Sequence, residues 1–453
     1  MRLRVFFASD GDCLLLTSAD GRHVLVDGGR SGTFRENTRP HLDELAAADE
    51  PIDLLVVSHV DADHISGVIS LLEEVAAWEV HDHQVNEGQN PSFPAPRTPR
   101  PPRILGMWHN SWRAQMKDLE GPISAFASQV SEALELAGQT VGDQAGPARL
   151  ALDSVGGLAE SIADGVALLR LVDDETPIPR NDAFGNGLVL LREPVHVERV
   201  GTTTLRVIGP AEHHLKRLRD EWRDWLERQP ASTRRGDTAR AGTRDTGEES
   251  AASTLPMSPP EARTVVRDLA AAAAAAATAP AAAPAIIEKT RPSAVTPPNR
   301  ASITLLAEED GRTLLLTGDA AEEEILEGLE AAGCFVDDDP FWCNVVKVQH
   351  HGSEHNLSKV FASRVLAEQY VFCADGAHGN PNPSVVKTLL ETRLADARPF
   401  TVWFNCSAER TIPQRRKAMQ AALKEARRLE ARHRGQLTVR VLDDDQPFFD
   451  IEV

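Results

Sequence analysis

The stretch Leu54-Leu55-Val56-Val57-Ser58-His59-Val60-Asp61-Ala62-Asp63-His64-Ile65-Ser66-Gly67 constrains this chain more than any other. Four apolar residues, two of them β-branched, follow Pro51 and run into a polar cluster, the pattern of a buried strand. Beyond Gly67, the residues Val68, Leu71, Leu72, Val75 and Trp78 recur at helical spacing. His59 to His64 therefore occupy the loop between a buried strand and a helix. Asp63 or Ser66 can cap that helix, but capping needs one short polar side chain and no histidine. Two histidines and two aspartates within six residues, at the carboxyl end of a strand, point instead to a metal site.

The rest of the chain sets limits on what such a site serves. Its 453 residues, 42% hydrophobic and 26% charged, leave ample core for about three domains or one large α/β domain with insertions. A formal charge of −20 argues against a general basic surface for nucleic acid, although metal ions can supply positive charge locally. Cys13, Cys334, Cys343, Cys373 and Cys406 are odd in number and widely spread, which reads as reduced thiols. The first ten residues are too poor in apolar side chains for a signal peptide, and no apolar stretch of about 20 residues is present. The expectation is a cytoplasmic protein with no membrane partner.

Residues 1–30 open as a β-meander, with β-prone runs at 2–8, 12–18 and 22–27 and a turn at Ala19-Asp20-Gly21. The third run ends in Asp27-Gly28-Gly29; taken alone, Asp27 reads as a turn aspartate. Residues 33–48 are expected to be helical with a break near Pro40, and the proline-rich residues 89–102 form a loop. Residues 104–108 read as a strand running into His109, with His81 and His83 as competitors for a site role. The segment 113–228 reads as a largely helical insertion, with a helix over 121–136 and strands over 188–191 and 204–208. An amphipathic helix over 211–227 follows, its Leu215, Leu218, Trp222 and Trp225 serving as core and His213-His214 as a solvated terminus. Residues 229–297 are low in complexity and short of large apolar side chains, so a flexible linker is expected.

Regular structure resumes with a hairpin that turns at Glu309-Asp310-Gly311 and stops at Thr317-Gly318-Asp319. A strand over 344–349 ends at His350-His351-Gly352-Ser353, and another over 370–373 precedes the loop holding His378. A basic helix near 413–434 and a strand near 437–442 close the chain. Strand, abrupt loop with ligand-type residues, then helix is thus a recurring pattern, seen at Asp27, His59 to His64, Asp319, His350-His351 and His378. Ligands of open α/β sheets gather at strand carboxyl ends, so these loops can share one site.

Gly11-Asp12-Cys13-Leu14-Leu15-Leu16, Val24-Leu25-Val26-Asp27-Gly28-Gly29, the stretch from Ser58 to Gly67, and residues 299–305, 315–319 and 346–353 carry a resemblance. On these stretches the chain resembles the metallo-β-lactamase superfamily, and more narrowly the hydrolase domain of the ComEC-type DNA-uptake (competence) proteins. The likeness spans residues 1–112 and 297–395. It implies an α/β fold, an αββα sandwich, with its first half at 1–112 and its second half at 298–453, including a C-terminal helix and strand. Residues 113–228 would be an inserted segment and 229–297 a linker.

Residue by residue, the resemblance implies an H-x-H-x-D-H box on His59, Asp61, Asp63 and His64, a bridging carboxylate at Asp319 and a late histidine at His350 or His351. His59 and Asp61 then serve one metal, and Asp63 and His64 the other. His109 stands for the remaining histidine and Asp27 for a carboxylate at the edge of the site. Where relatives carry a histidine-proline pair this chain has Asn380-Pro381, with His378 as the substitute. Asp61 replaces a family histidine, which favours Mn²⁺, Mg²⁺ or Fe²⁺ relative to an all-histidine zinc site while still suiting zinc. The implied activity is that of a metallo-hydrolase with two divalent ions and a metal-bound hydroxide oriented by Asp63, acting on a phosphodiester in nucleic acid or a nucleotide. The acidic surface leaves room for a small-molecule ester, lactone or thioester substrate. Asp61 leaves room for a binding or regulatory module with a weakened site.

Overall fold

The apolar run at 54–57 forms a strand buried on both faces, and its two faces meet different cores. In the computed structural model, which describes residues 1–111, 114–115, 117, 164–165, 167–228, 284–290 and 297–453, Leu54 and Val56 join one apolar cluster and Leu55 and Val57 another. Successive strand side chains point to opposite faces, so each strand of a layered sheet touches two layers.

The strands are β1 (Arg2–Phe6), β2 (Leu14–Thr17), β3 (His23–Val26), β4 (Leu54–Val57), β5 (Met107–His109), β6 (Val197–Val200), β7 (Thr203–Gly209), β8 (Thr304–Glu309), β9 (Arg312–Leu316), β10 (Phe341–Lys347), β11 (Val365–Phe372), β12 (Phe400–Phe404), β13 (Leu437–Val441) and β14 (Phe448–Glu452). A six-stranded sheet has the order β14-β1-β2-β3-β4-β5, and an eight-stranded sheet the order β13-β12-β11-β10-β9-β8-β7-β6. Leu3, Val5, Leu14, Val24 and Val56 of the first sheet pack against Val207, Leu305, Leu314, Val345 and Val371 of the second. Helices α1 (Arg39–Ala47) and α2 (Ala62–Asn86) cover the outer face of the first sheet through Leu42, Leu45, Val68 and Leu72. Helix α3 (Glu212–Arg228) adds Leu215 to the same cluster; the side chains of Leu218, Trp222 and Trp225 lie outside the described residues. Helices α4 (Glu322–Ala331), α5 (Lys359–Arg364), α6 (Pro383–Leu394) and α7 (Pro413–Arg432) cover the second sheet through Ile325, Phe361, Leu389 and Met419. The result is an αββα sandwich of the metallo-β-lactamase type.

Several elements differ from the sequence reading. The strand expected over 204–208 is present as β7, but it is joined by an unexpected β6 and pairs with β8 inside the second sheet. Residues 188–191 form no strand, although Val189 and Leu190 are buried. The amide of Asn110 takes the place of a neighbouring strand there, donating to the Val189 carbonyl at 2.9 Å and accepting from its N–H at 2.8 Å. Strand β14 closes the edge of the first sheet against β1, a pairing between opposite ends of the chain. The expected helix at 121–136 lies outside the described residues, as does the expected linker apart from 284–290 and its last residue. Residues 284–290 are docked, not loose: Ile287 packs on the second core, its N–H reaches Thr388 Oγ1 at 2.9 Å, and its carbonyl accepts from Lys359 N at 2.7 Å. Among the described residues, no helix is long and apolar enough to cross a membrane.

Candidate metal centre

Parallel pairing decides where the ligand-type residues go. β3, β4 and β5 run parallel, and so do β9 to β13. Their carboxyl ends present Asp27, His59 and His109 from one sheet and Asp319, His350 and His351 from the other. Asp61 is the residue before α2, with extended backbone (φ −74°, ψ 142°) and no side-chain capping bond. The capping expected of Ser66 is not made, because its hydroxyl donates back to the Ala62 carbonyl. His350 and His351 follow β10 in the left-handed region, at φ 46° and 54°, which turns the chain sharply at the sheet edge.

These turns bring both ends of the chain to one point. The Nε2 atom of His351 lies 3.2 Å from Asp63 Oδ2, 3.3 Å from Asp319 Oδ2 and 3.3 Å from His64 Nε2. His64 Nε2 is 3.5 Å from Asp319 Oδ1 and 3.8 Å from Asp63 Oδ2. His59 Nε2 lies 3.6 Å from Asp61 and 3.9 Å from Asp319, and His350 Nε2 lies 3.7 Å from Asp319. Asp319 therefore stands at the middle of the group.

Hydrogen bonds behind the centre set the tautomers. Asp27 accepts from the Ser58 N–H at 2.7 Å, the Ser58 hydroxyl at 2.6 Å and His64 Nδ1–H at 2.8 Å. Having donated to Asp27, Ser58 Oγ accepts from His59 Nδ1–H at 3.0 Å. His351 Nδ1–H donates to the Cys373 carbonyl at 2.7 Å, and His350 Nδ1–H to Asn356 Oδ1 at 2.7 Å. The amide of Asn356 is held the right way round because its nitrogen donates to the Asp319 carbonyl at 2.9 Å. All these imidazoles thus carry a proton on Nδ1 and turn Nε2, the atom that ligates a metal once it is unprotonated, toward the centre; the Asn299 side-chain nitrogen also stands 3.1 Å from His350 Nε2.

The centre fits divalent cations on its own chemistry. His59 Nε2, Asp319 Oδ1, Asp12 Oδ1 and both ring nitrogens of His109 are buried with no hydrogen-bond partner among the described residues. Such orphaned groups are costly unless something pairs with them. Two sets, His59 with His64 and Asp319, and Asp63 with His64 and His351, bring their ligand atoms within 4.8 Å of one another. Burial opposes charge on His64 and His351, yet Asp319 and the other carboxylates push both well above the ordinary histidine range. Burial likewise opposes charge on Asp63 and Asp319, but the facing imidazoles hold both well below the usual carboxylate range. The field at the centre calls for positive charge.

His109 is buried at the end of β5, in register with Val57 of β4, and burial followed by the Arg180 charge lowers it to about 3. It is neutral, with both nitrogens unused. His378 is exposed and belongs to none of the ligand groups among the described residues. His83 is exposed on α2, and His81 on the same helix faces the Pro94 carbonyl. A further cluster of His213, His214 and Glu327, in which His214 is buried instead of forming the expected solvated terminus, lacks the tautomer that a metal needs. There His214 Nδ1 accepts from the Ala211 N–H at 3.1 Å, so its Nε2 carries the proton toward Glu327. Sequence reasoning passed over Asp12, Ser58, Lys347 and Asn356. A lysine inside the apolar strand run Val345-Val346-Lys347-Val348 was the one available signal.

Replacing Asp27 by Ala is expected to leave the Ser58 N–H, its hydroxyl and His64 Nδ1–H unpaired, each at about 1–3 kcal/mol. Loss of this support is also expected to weaken divalent-metal binding by about 10–100-fold. Guanidinium unfolding and Mn²⁺ titration read the two effects, and Asp27→Asn tolerates the native φ of 57° and serves as control. An unchanged midpoint with unchanged affinity would remove Asp27 from the scaffold.

Fold and candidate metal-ligand groups together are those of the metallo-β-lactamase type, which suggests a metal-dependent hydrolase. Residues 8–117 match the family model described as the Metallo-beta-lactamase superfamily. Its members are generally hydrolases that commonly bind divalent metals such as zinc. No curated protein matches the chain at significant similarity.

Proposed function

We infer that the protein is a two-metal hydrolase of phosphodiesters, nucleic acid or nucleotide in kind. The observation that carries this reading is the convergence of protonated-Nδ1 imidazoles and unpaired carboxylate oxygens from both sheets on Asp319. His59, Asp61 and Asp319, with His109 at the adjoining strand end, would hold one ion. Asp63, His64, His351 and Asp319 would hold the other. The carboxylates of Asp12, Asp27, Asp61, Asp63 and Asp319 exceed the ammonium of Lys347 by a charge that two divalent cations offset. Bound there, such ions supply Lewis acidity toward a phosphoryl oxygen and lower the pKa of water. The carboxylate-rich donor set suits hard ions such as Mn²⁺ and Mg²⁺, which favour phosphoryl oxygens, and it also accepts zinc. Asp63 is ionised, partly exposed and held by His351, so it can orient an attacking water and accept its proton. Asn356 and Ser58 keep His350 and His59 in the required tautomer.

Elemental analysis of protein purified without chelator is expected to give about two equivalents of transition metal per chain. Hydrolysis of bis(p-nitrophenyl) phosphate should vanish in EDTA and return with Mn²⁺. Less than about one equivalent would sink the two-metal reading. Preferential turnover of p-nitrophenyl acetate or a lactone would keep the hydrolase and overturn its substrate class.

A further inference from the structure

We propose that Lys347 is a counter-ion built into the carboxylate centre, standing in for metal charge in the metal-free protein, and that Asp12 holds it there. The proposal rests on the metal-centre reading above. Lys347 ends β10 and is wholly buried. A buried ammonium is tolerated only where its hydrogens and charge are met. Here it pairs with Asp12 Oδ2, donates to the Gly318 carbonyl at 3.0 Å and lies 3.6 Å from Asp319 Oδ1. Its donors are therefore shared between the first-sheet turn carrying Asp12 and the second-sheet loop carrying Gly318 and Asp319.

Asp12 is buried as deeply, and its other oxygen faces His351 Nδ1 at 3.5 Å. The His351 proton is already committed to the Cys373 carbonyl, which leaves Lys347 as the main charge partner of Asp12. The pair thus ties the two sheets together beneath the centre. Two buried carboxylates, Asp12 and Asp319, thus share one ammonium, and the cost of leaving either unbalanced in a medium of low dielectric is high. Divalent ions relieve it when bound, and Lys347 relieves it at all times. Loss of Lys347 should therefore harm the metal-free protein more than the loaded one. An ion pair serving the fold alone would harm both equally.

The test compares thermal unfolding of the full chain in EDTA and in saturating MnCl₂ for wild type, Lys347→Met and the double variant Asp12→Asn/Lys347→Met. Lys347→Met is expected to lose about 10 °C in EDTA and to recover most of that loss with Mn²⁺. The double variant, which leaves no unpaired charge at position 12, is expected to regain most of the loss in EDTA itself. Equal losses in the two buffers, or a double variant no more stable than the single one, would overturn the proposal. If Lys347→Met does not fold in EDTA, its behaviour in MnCl₂ decides: folding restored by Mn²⁺ supports the counter-ion role, and failure to fold in either buffer overturns it. A wild type that Mn²⁺ does not stabilise would defeat the metal-centre reading, while the EDTA comparison would still decide the role of Lys347.

Discussion

Replacing Asp63 by Ala should lower Mn²⁺-dependent phosphodiester hydrolysis by about a thousandfold, within the range expected of a positioned general base. Its carboxylate is held well below the usual range because His64 and His351 outweigh the opposing effect of burial. It is therefore ionised at neutral pH. With 21% of its side chain exposed it is far more open than Asp319 at 3%, so water reaches it more readily. His351 Nε2 at 3.2 Å fixes its direction. Asp63→Asn keeps the shape and removes the charge, and should lose nearly as much. Measuring bound metal beside kcat separates two causes: lost activity with retained metal marks a chemical role, and joint loss marks a ligand. Activity equal to wild type in both variants would place the chemistry elsewhere.

How far this site was legible depends on whether its parts are local. The strand at 54–57 and the helix after it announce themselves by apolar run and helical period, because each buries a face that its own residues define. The cluster from His59 to His64 is legible for the same reason, since it sits where strand must become helix, although the helix begins at Ala62 and carries Asp63 and His64 in its first turn instead of on the expected loop. Asp319 and His350-His351 could be added because each ends a strand in the same way. Choosing between His350 and His351 was beyond the sequence. Both follow β10, and only the three-dimensional arrangement sets His351 beside Asp63 and His64 and leaves His350 between Asn356 and Asp319. The roles of Asp12 and Lys347 were illegible for a different reason, although a lysine within an apolar run was a signal in itself. Each is one charged residue whose meaning lies in a partner from the opposite half of the chain. The same holds for β14, whose apolar residues look ordinary until β1 is seen beside them. Asn110 shows the converse: residues 188–191 have the composition of a strand, but a side-chain amide has taken the place of the neighbouring strand.

Gly11→Ala should show how tightly the first-sheet turn is coupled to the chemistry. A Cβ on Gly11 would lie 1.5 Å from the Asp63 carbonyl oxygen and 2.6 Å from its carbon. Both are backbone atoms in the first turn of α2, so no flexible side chain can swing aside. The turn is also pinned on either side of Gly11. Asp10 pairs with Arg30 at 3.0 Å and with Arg415 at 3.4 Å, and Asp12 pairs with Lys347. Relief therefore requires over an ångström of movement in Asp63, in the Asp12–Lys347 pair or in both. A displacement of about 1 Å at a reacting group costs about a hundredfold in rate, and forced overpacking costs about 1–3 kcal/mol of stability. Hydrolysis should fall by about that factor with a clear drop in unfolding temperature. Gly32→Ala is the matched control, because a Cβ there meets nothing within 4 Å. If Gly11→Ala kept the kcat and unfolding temperature of that control, the turn and the metal box would be independent parts. The close backbone approach would then have no bearing on where Asp63 stands.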